Sequence, residues 1–438
     1  MRFWINSVFA TIFTFFVLLV LGALLNLKAF QAFDPISQAV GDMELSDIAF
    51  SRIREGEPMP DPNVTIVNIG HLTRGEIGDQ LRNLIRHKPK VIGIDVVFAC
   101  PQKDSLSCPD ALDFRSNFSF YSAIREAEIA GVKIVMGERL LQTKKLLEEF
   151  GDIAKWDSIE HSDPEILLNS AEGFVNLATD AGHQEDLKIS RDMHPAIEVN
   201  GKRELAFSVK VAMLFDSIKA KKFLARANET ETINFRGNTP DFYEASSYSG
   251  RYQFLDVEQA LDSALFDGSM IRDKIVIMGF HGKDIHDRSW EDKLFTPLNQ
   301  NYAGRSRPDM YGAVIHANII SMILNEDYIE ELPSWLSMLI SVFVIFFVIA
   351  LFFKIETHMP VWYDLLSLLI QLILFLFFSF IMLYAFSKFS IKMDFTTTLA
   401  AVALVGTCFE IYNGAILRVY DQIMKKLREN KENAPKSE

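Results

Sequence analysis

The amino-acid sequence predicts an α/β extracytoplasmic domain, a mostly parallel sheet covered by helices, together with four transmembrane helices, one N-terminal and three C-terminal. Three observations carry this prediction. Six short aliphatic runs are apolar at successive positions, as strands buried on both faces of a parallel sheet must be. Segments of helical period separate these runs, and alternation of strand and helix is the order of a layered domain with right-handed crossovers. Four nearly uncharged stretches, one before this region and three after it, reach the roughly 20 residues that a bilayer crossing requires.

The first apolar stretch, residues 8–27 (VFATIFTFFVLLVLGALLNL), is longer than a signal-peptide core of about 7 to 15 residues, and no small-x-small cleavage site follows it. It reads as an uncleaved signal anchor. The other three stretches are residues 334–353, 361–386 and 395–417. Basic residues beside the spans set orientation. Arg418, Lys425, Lys426, Arg428, Lys431 and Lys436 follow the last span and hold the tail in the cytoplasm, whereas at the N-terminus Arg2 is opposed by Lys28. Four crossings then place both termini in the cytoplasm and the large central region in the periplasm of a bacterial inner membrane. The expected division is an anchor over 1–27, an exported domain over 28–333, a three-helix bundle over 334–417 and a short tail over 418–438.

Within the exported region the strand candidates are, in order, VTIVNIG (64–70), VIGIDVVF (91–98), VKIVMGE (132–138), GFVNLATD (173–180), ETINFRG (231–237) and KIVIMGF (274–280). Helical period marks residues 75–88, 118–131, 204–215, 255–266 and 311–324. Open parallel sheets bind ligands beyond the carboxyl ends of their strands. There lie Gly70 and His71, Asp95 and Phe98, Glu138 and Arg139, and the polar loop GFHGKDIHDRSWEDKLFTP (279–297). From these, His71, Asp95, Arg139, His281, Asp284 and Asp292 are the candidate ligand-binding residues. Asp95 stands out because a carboxylate inside an apolar strand needs a partner; a backbone-capping acid is the alternative reading. The loop also holds His286, Asp287 and Glu291, but it has no regular HxxxH or DxDxDG spacing, so a solvated, structured loop is expected there and no metal site.

The chain has three cysteines, too few for a disulfide-dense scaffold. Cys100 and Cys108 share a short polar loop without CxxC spacing or a neighbouring histidine. In the periplasm they read as a structural disulfide worth about 2 to 3 kcal/mol, with two free thiols as the alternative. Inside the last apolar stretch Glu410 and Asn413 occupy adjacent helical turns, and Asp364 opens the preceding one. Ionisable groups within spans are expensive, so Glu410 is expected to face the bundle interior, as packing glue or as a switchable contact. The net charge of −13, with no basic stripe, excludes nucleic acid as a partner. GxSxG, HExxH, Walker and GxGxxG motifs are all missing from the sequence, so neither enzymatic activity nor a cofactor is expected.

The ordered series VTIVNIG, VIGIDVVF, GFVNLATD with Arg191 following, ELAFSVKVA, INFRG, RDKIVIMG, DKLFTP and YGAVIHANIISMIL resembles the second type of CHASE domain, the cyclase- and histidine-kinase-associated sensory extracellular modules of bacterial receptors. The resemblance runs from about residue 35 to 330 and is strengthened by its place between one N-terminal span and three C-terminal ones. It implies that Asp95, Asn176, Asp180, Arg191, Arg236, Gly237, Gly279, Asp292, Thr296, Pro297, His316 and Asn318 occupy the family's recurrent positions. Gly237 and Gly279 are then expected in tight turns, and His316 is expected to be satisfied by a neighbouring loop. The chain departs from the family at AGHQ after Asp180, in the Cys100 to Cys108 loop, and in the absence of a kinase or cyclase after the last span. The resulting expectation is a membrane sensory or ligand-binding receptor subunit that signals through its transmembrane bundle to a separate signalling or envelope protein. Its other partners would be an unidentified small ligand, membrane lipid and a second copy in a homodimer. The alternative is a structural docking subunit of an envelope complex that binds no small ligand.

Overall fold

The computed structural model describes residues 2–25, 47, 50–51, 59–99, 113–142, 156–178, 189–240, 246–300 and 307–432. Two compact units emerge, one of Phe50–Ile329 and one of Met1–Ala49 with Glu330–Glu438. In chain order, α1 (Arg2–Leu25) comes first, followed by β1 (Val64–Asn68), α2 (Arg74–Ile85), β2 (Val91–Ile94), α3 (Phe114–Ile129), β3 (Lys133–Leu141), β4 (Ser158–Glu160) and β5 (Ala171–Phe174). Then come α4 (Phe207–Phe215), α5 (Ser217–Leu224), β6 (Gln253–Leu255), β7 (Ile275–Gly279) and α6 (Gly312–Asn325). The chain ends with α7 (Ser334–His358), α8 (Tyr363–Phe389), α9 (Thr396–Ile411) and α10 (Arg418–Glu432).

The central sheet runs β6-β1-β7-β2-β3-β5, all parallel, and β4 adds antiparallel to the carboxyl half of β3. Every residue of β1, β2 and β7 is buried, which is why these strands carry unbroken aliphatic runs. On one face, Leu81 and Leu84 of α2 with Phe120 and Ile124 of α3 pack on Val67, Ile92, Ile94, Met136 and Met278. On the other face lie α4 and α6. Helix α6 is buried from Gly312 to Leu324, as a helix apolar all round should be. Thr73 and Glu76 close a capping box on α2, in which Thr73 N–H donates to Glu76 Oε2 at 2.8 Å; such caps are worth about 1 kcal/mol.

Three expected elements differ. ETINFRG contributes only Glu231–Thr232, which pairs antiparallel with Asp192–Met193 away from the main sheet. The segment 255–266 shortens to a helix at Val257–Leu261, and its first residue ends β6, the edge strand that pairs with β1. A hairpin of Ala196–Val199 with Lys202–Leu205 takes the start of the segment 204–215, leaving α4 to begin at Phe207.

In the second unit four helices are long and apolar enough to cross a membrane: Phe3–Leu24, Ser334–His358, Pro360–Phe389 and Thr396–Leu427. Ala10 of α1, Ile345, Ile349 and Phe352 of α7, and Ala401, Val405 and Phe409 of α9 form its core. Ser341 and Thr398 hydroxyls meet at 2.5 Å inside it, and Gln371 of α8 accepts from Gly406 N at 3.3 Å. Glu410 does not face this interior: it is exposed, because Val405, Cys408 and Phe409 take the inward side of α9. Asn413 is half-buried in a π-helical segment and donates to Glu356 in the last turn of α7. Both residues therefore sit level with helix ends, where a polar group needs no bundle interior. Cys408 is a free, buried thiol; Cys100 and Cys108 lie outside the described residues.

Candidate functional site

Strand β2 runs directly into Asp95, whose N–H donates to Met278 O at 2.8 Å and continues the ladder onto β7. Its side chain is 12% exposed, and Oδ1 lies 3.9 Å from His316 Nε2, beyond hydrogen-bond range. Among the described residues nothing donates to this carboxylate, and burial alone pushes it up to about 7. It is therefore no backbone cap. Gly279 and Gly312 border the position: a Cβ added at Gly279 would stand 2.7 Å from Ala313 Cβ and 3.4 Å from Asp95 Cβ. Gly279 thus serves the close approach of α6 to β7 and not a turn, and its φ is not positive. Gly237, at φ +156°, does need its missing side chain, since a Cβ there would fall 2.6 Å from Tyr248 O.

His316 sits on the second turn of α6, 2% exposed, with its ring 5.1 Å from Phe207. Burial pushes the imidazole down to about 4, against the backbone of Val175 beside it, so it is neutral at pH 7. The loop after β5 does reach it, yet Nδ1 has no hydrogen bond of proper geometry among the described residues. Asp292 approaches from the 279–297 loop in a left-handed conformation, φ +56°, with Oδ2 3.9 Å from the place a Gly312 Cβ would take. Desolvation, then repulsion from Asp95 and Glu291, raise it to about 6, while Arg139 opposes the rise. Asp292 is exposed as a residue, so water screens this shift more than that of Asp95. Arg139 itself is 57% exposed and pairs with Glu160 at 3.6 Å.

Of the six sequence candidates, Asp95, Arg139 and Asp292 come together, joined by His316. The other three do not join them. His281 is 7% exposed, its Nε2 lies 2.8 Å from Thr239 Oγ1, and its ring packs between Tyr311 and Phe254; burial pushes it down to about 3. With Asp284, Lys293 and Arg307 it lines a cleft of about 50 Å³, room for water and too small for an organic ligand. Asp284 accepts from His286 N at 2.8 Å, and Asp287 accepts from Lys283 N and Ser289 N, bonds that hold Asp287 below the usual carboxylate range. Asp284 and Asp287 are thus spent on the loop's own turns, as in a structured solvated loop. His71 is exposed against Phe280.

Several recurrent positions hold neighbouring segments by hydrogen bonds. Asn318 donates to Gly237 O at 2.9 Å and accepts from Arg236 N at 2.7 Å. Asn176 donates to Leu140 O at 3.1 Å and accepts from Leu140 N at 2.7 Å, and Thr296 Oγ1 donates to Asp309 Oδ2 at 2.7 Å. Asp180 lies outside the described residues.

Sequence reasoning missed a second cluster. His161 Nδ1 lies 3.2 Å from Glu138 Oε2 and 3.0 Å from Glu172 Oε2. Glu138 is 2% exposed; desolvation and repulsion from Glu172 and Glu204 raise it to about 7, with His161 and Lys210 acting the other way. The strand register, which sets Glu160 opposite Arg139 and so puts His161 beside Glu138, is what brings these residues together, and no local sequence pattern announces it.

A helix-covered parallel sheet, preceded in the chain by one apolar helix and followed by three, with perturbed carboxyls at its carboxyl edge, defines a membrane-anchored extracytoplasmic module. The CHASE2 domain family matches residues 12–352, most of the chain, and the chain belongs to that family. The match extends beyond 35–330 into α1 and α7. CHASE2 is a non-catalytic sensory family, and the protein is a multi-pass protein of the bacterial inner membrane with the CHASE2 domain in the periplasm, both termini cytoplasmic and a receptor-like role. No curated protein and no solved structure matches the chain.

Proposed function

We propose that the periplasmic domain senses a small polar ligand held by Asp95, Asp292, Arg139 and His316, and that the membrane helices pass its binding to a separate signalling protein. One observation carries the reading: the Asp95 carboxyl is kept in the fold at 12% exposure without a donor among the described residues. A buried carboxyl without a donor destabilises a fold, and such groups concentrate where binding needs them. The two acids suit a ligand that offers cationic or hydrogen-bond donor groups. Binding there would bear on β2, β7 and the first turns of α6, elements that meet at Asp95, Gly279 and Gly312. Exposed Val419, Tyr420, Ile423 and Leu427 on α10 supply an apolar surface for a signalling partner.

The test uses the full chain in lipid nanodiscs, screened by melting shift against amines, amino acids and other small polar metabolites. A hit should raise Tm by several degrees in the parent and lose at least tenfold in affinity in Asp95→Asn. A library-wide absence of shifts, together with crosslinking to one stoichiometric neighbour whatever the medium, would replace the sensor by the docking-subunit reading.

A further inference from the structure

We propose that Glu138, His161 and Glu172 form a zinc-class divalent cation site on the sheet face opposite Asp95. Glu138 and Arg139 are consecutive on β3, so their side chains leave opposite faces of the sheet. Arg139 goes to Glu160 and the Asp292 side; Glu138 goes to His161 and Glu172. This site therefore stands or falls independently of the ligand-binding role proposed for Asp95.

The donor atoms, one from each residue, lie within 4.8 Å of one another, with His161 Nδ1 3.0 Å from Glu172 Oε2 and 3.2 Å from Glu138 Oε2. Donors about 2.1 Å from a common zinc ion stand roughly 3.0 to 3.4 Å apart, the spacing that His161 Nδ1 already keeps from both carboxylates. A second observation points to a cation: Glu138 Oε1 is buried and receives no hydrogen bond among the described residues, in a side chain 2% exposed. Nearby, Glu204 Oε1 pairs with Lys202 Nζ at 3.1 Å, and around Glu138 the charge of Glu204 adds to that of Glu172 while Lys210 opposes them.

The surroundings hold the donors as a metal site requires. Ser162 N donates to Glu172 Oε1 at 3.0 Å, which orients that carboxylate and leaves Oε2 toward His161. Ser162 Oγ accepts from Phe98 N at 3.0 Å and donates to Gly137 O at 3.3 Å, which anchors the segment carrying His161 to β3. His161 is 51% exposed and gives the ion a route from solvent. Imidazole disfavours magnesium and calcium, and two carboxylates with one imidazole suit zinc with a position open to water.

The experiment strips the full-length protein, in detergent, with chelator and then competes it against a chromophoric zinc indicator at pH 7.5, with magnesium in parallel. One equivalent of zinc should bind, raising Tm by several degrees, and magnesium should leave both readings unchanged. His161→Ala, at an exposed position that should fold, and Glu138→Gln, which keeps the side chain's shape, should each weaken zinc binding at least tenfold. Glu138→Gln should melt no lower than the parent when both are free of metal. Failure of the parent to bind zinc, or equal binding by both variants, would overturn the assignment and leave a simple charge cluster.

Discussion

Asp95 and Glu138 are both carboxyls raised to about 7 at the same edge of one sheet, yet the two faces bury them differently. On the α4/α6 face Asp95 meets a neutral His316 at 3.9 Å, and burial alone accounts for its shift. On the opposite face Glu138 meets the half-exposed His161 at 3.2 Å and is pushed further by two other glutamates. One carboxyl is lonely and the other crowded. A lonely carboxyl is met by a molecule that brings donors, whereas a crowded one calls for a compact positive charge.

The largest effect on this contrast should come from Phe207, which is fully buried, packs against His316 and lies closest to the space a side chain at Gly93 would need. Phe207→Ala should cost about 3 to 5 kcal/mol through the cavity it leaves, seen as a marked drop in Tm. A loss under about 1 kcal/mol would show that this ring does not support the Asp95 face.

Asp95→Asn sharpens the comparison through pH. Burial pushes the folded carboxyl up to about 7 from the usual 3.8, so the native state holds a proton that the unfolded chain releases between those values. Stability from this group is full below the unfolded value and is lost as pH rises toward 7. The asparagine variant lacks that slope and should be more stable than the parent at pH 8 by on the order of 1 to 2 kcal/mol, the advantage shrinking toward pH 4. Melting curves across that range test it; a variant less stable than its parent at pH 8 would mean that the carboxylate has a donor. The smallest effect should come from Asp284→Ala, within about 0.5 kcal/mol of the parent, because that acid caps an exposed turn.

Much of the frame was legible in the sequence. β1, β2, β3 and β7 announce themselves because strands buried on two faces must be apolar at consecutive positions, and the membrane helices because their length and polarity are set by the bilayer. β6 was hidden because three residues at a sheet edge carry no periodic signal. ETINFRG looked like a core strand because Ile233 and Phe235 are indeed fully buried, but Asn318 claims the backbone at Arg236 and Gly237 that a sheet neighbour would have bonded.

The sequence by itself determined the layering, the division between membrane helices and periplasmic domain, and the presence of Asp95 at a strand end, since each follows from local hydrophobicity and strand period. Only the tertiary structure decided that Asp292 and His316 join Asp95 while His281 turns toward Thr239, that Glu410 faces outward, and that Glu138 meets His161 and Glu172. The reason is physical: hydrophobic pattern is written along the chain, whereas a carboxyl's neighbours are set by strand register and helix packing, which bring together residues far apart in sequence.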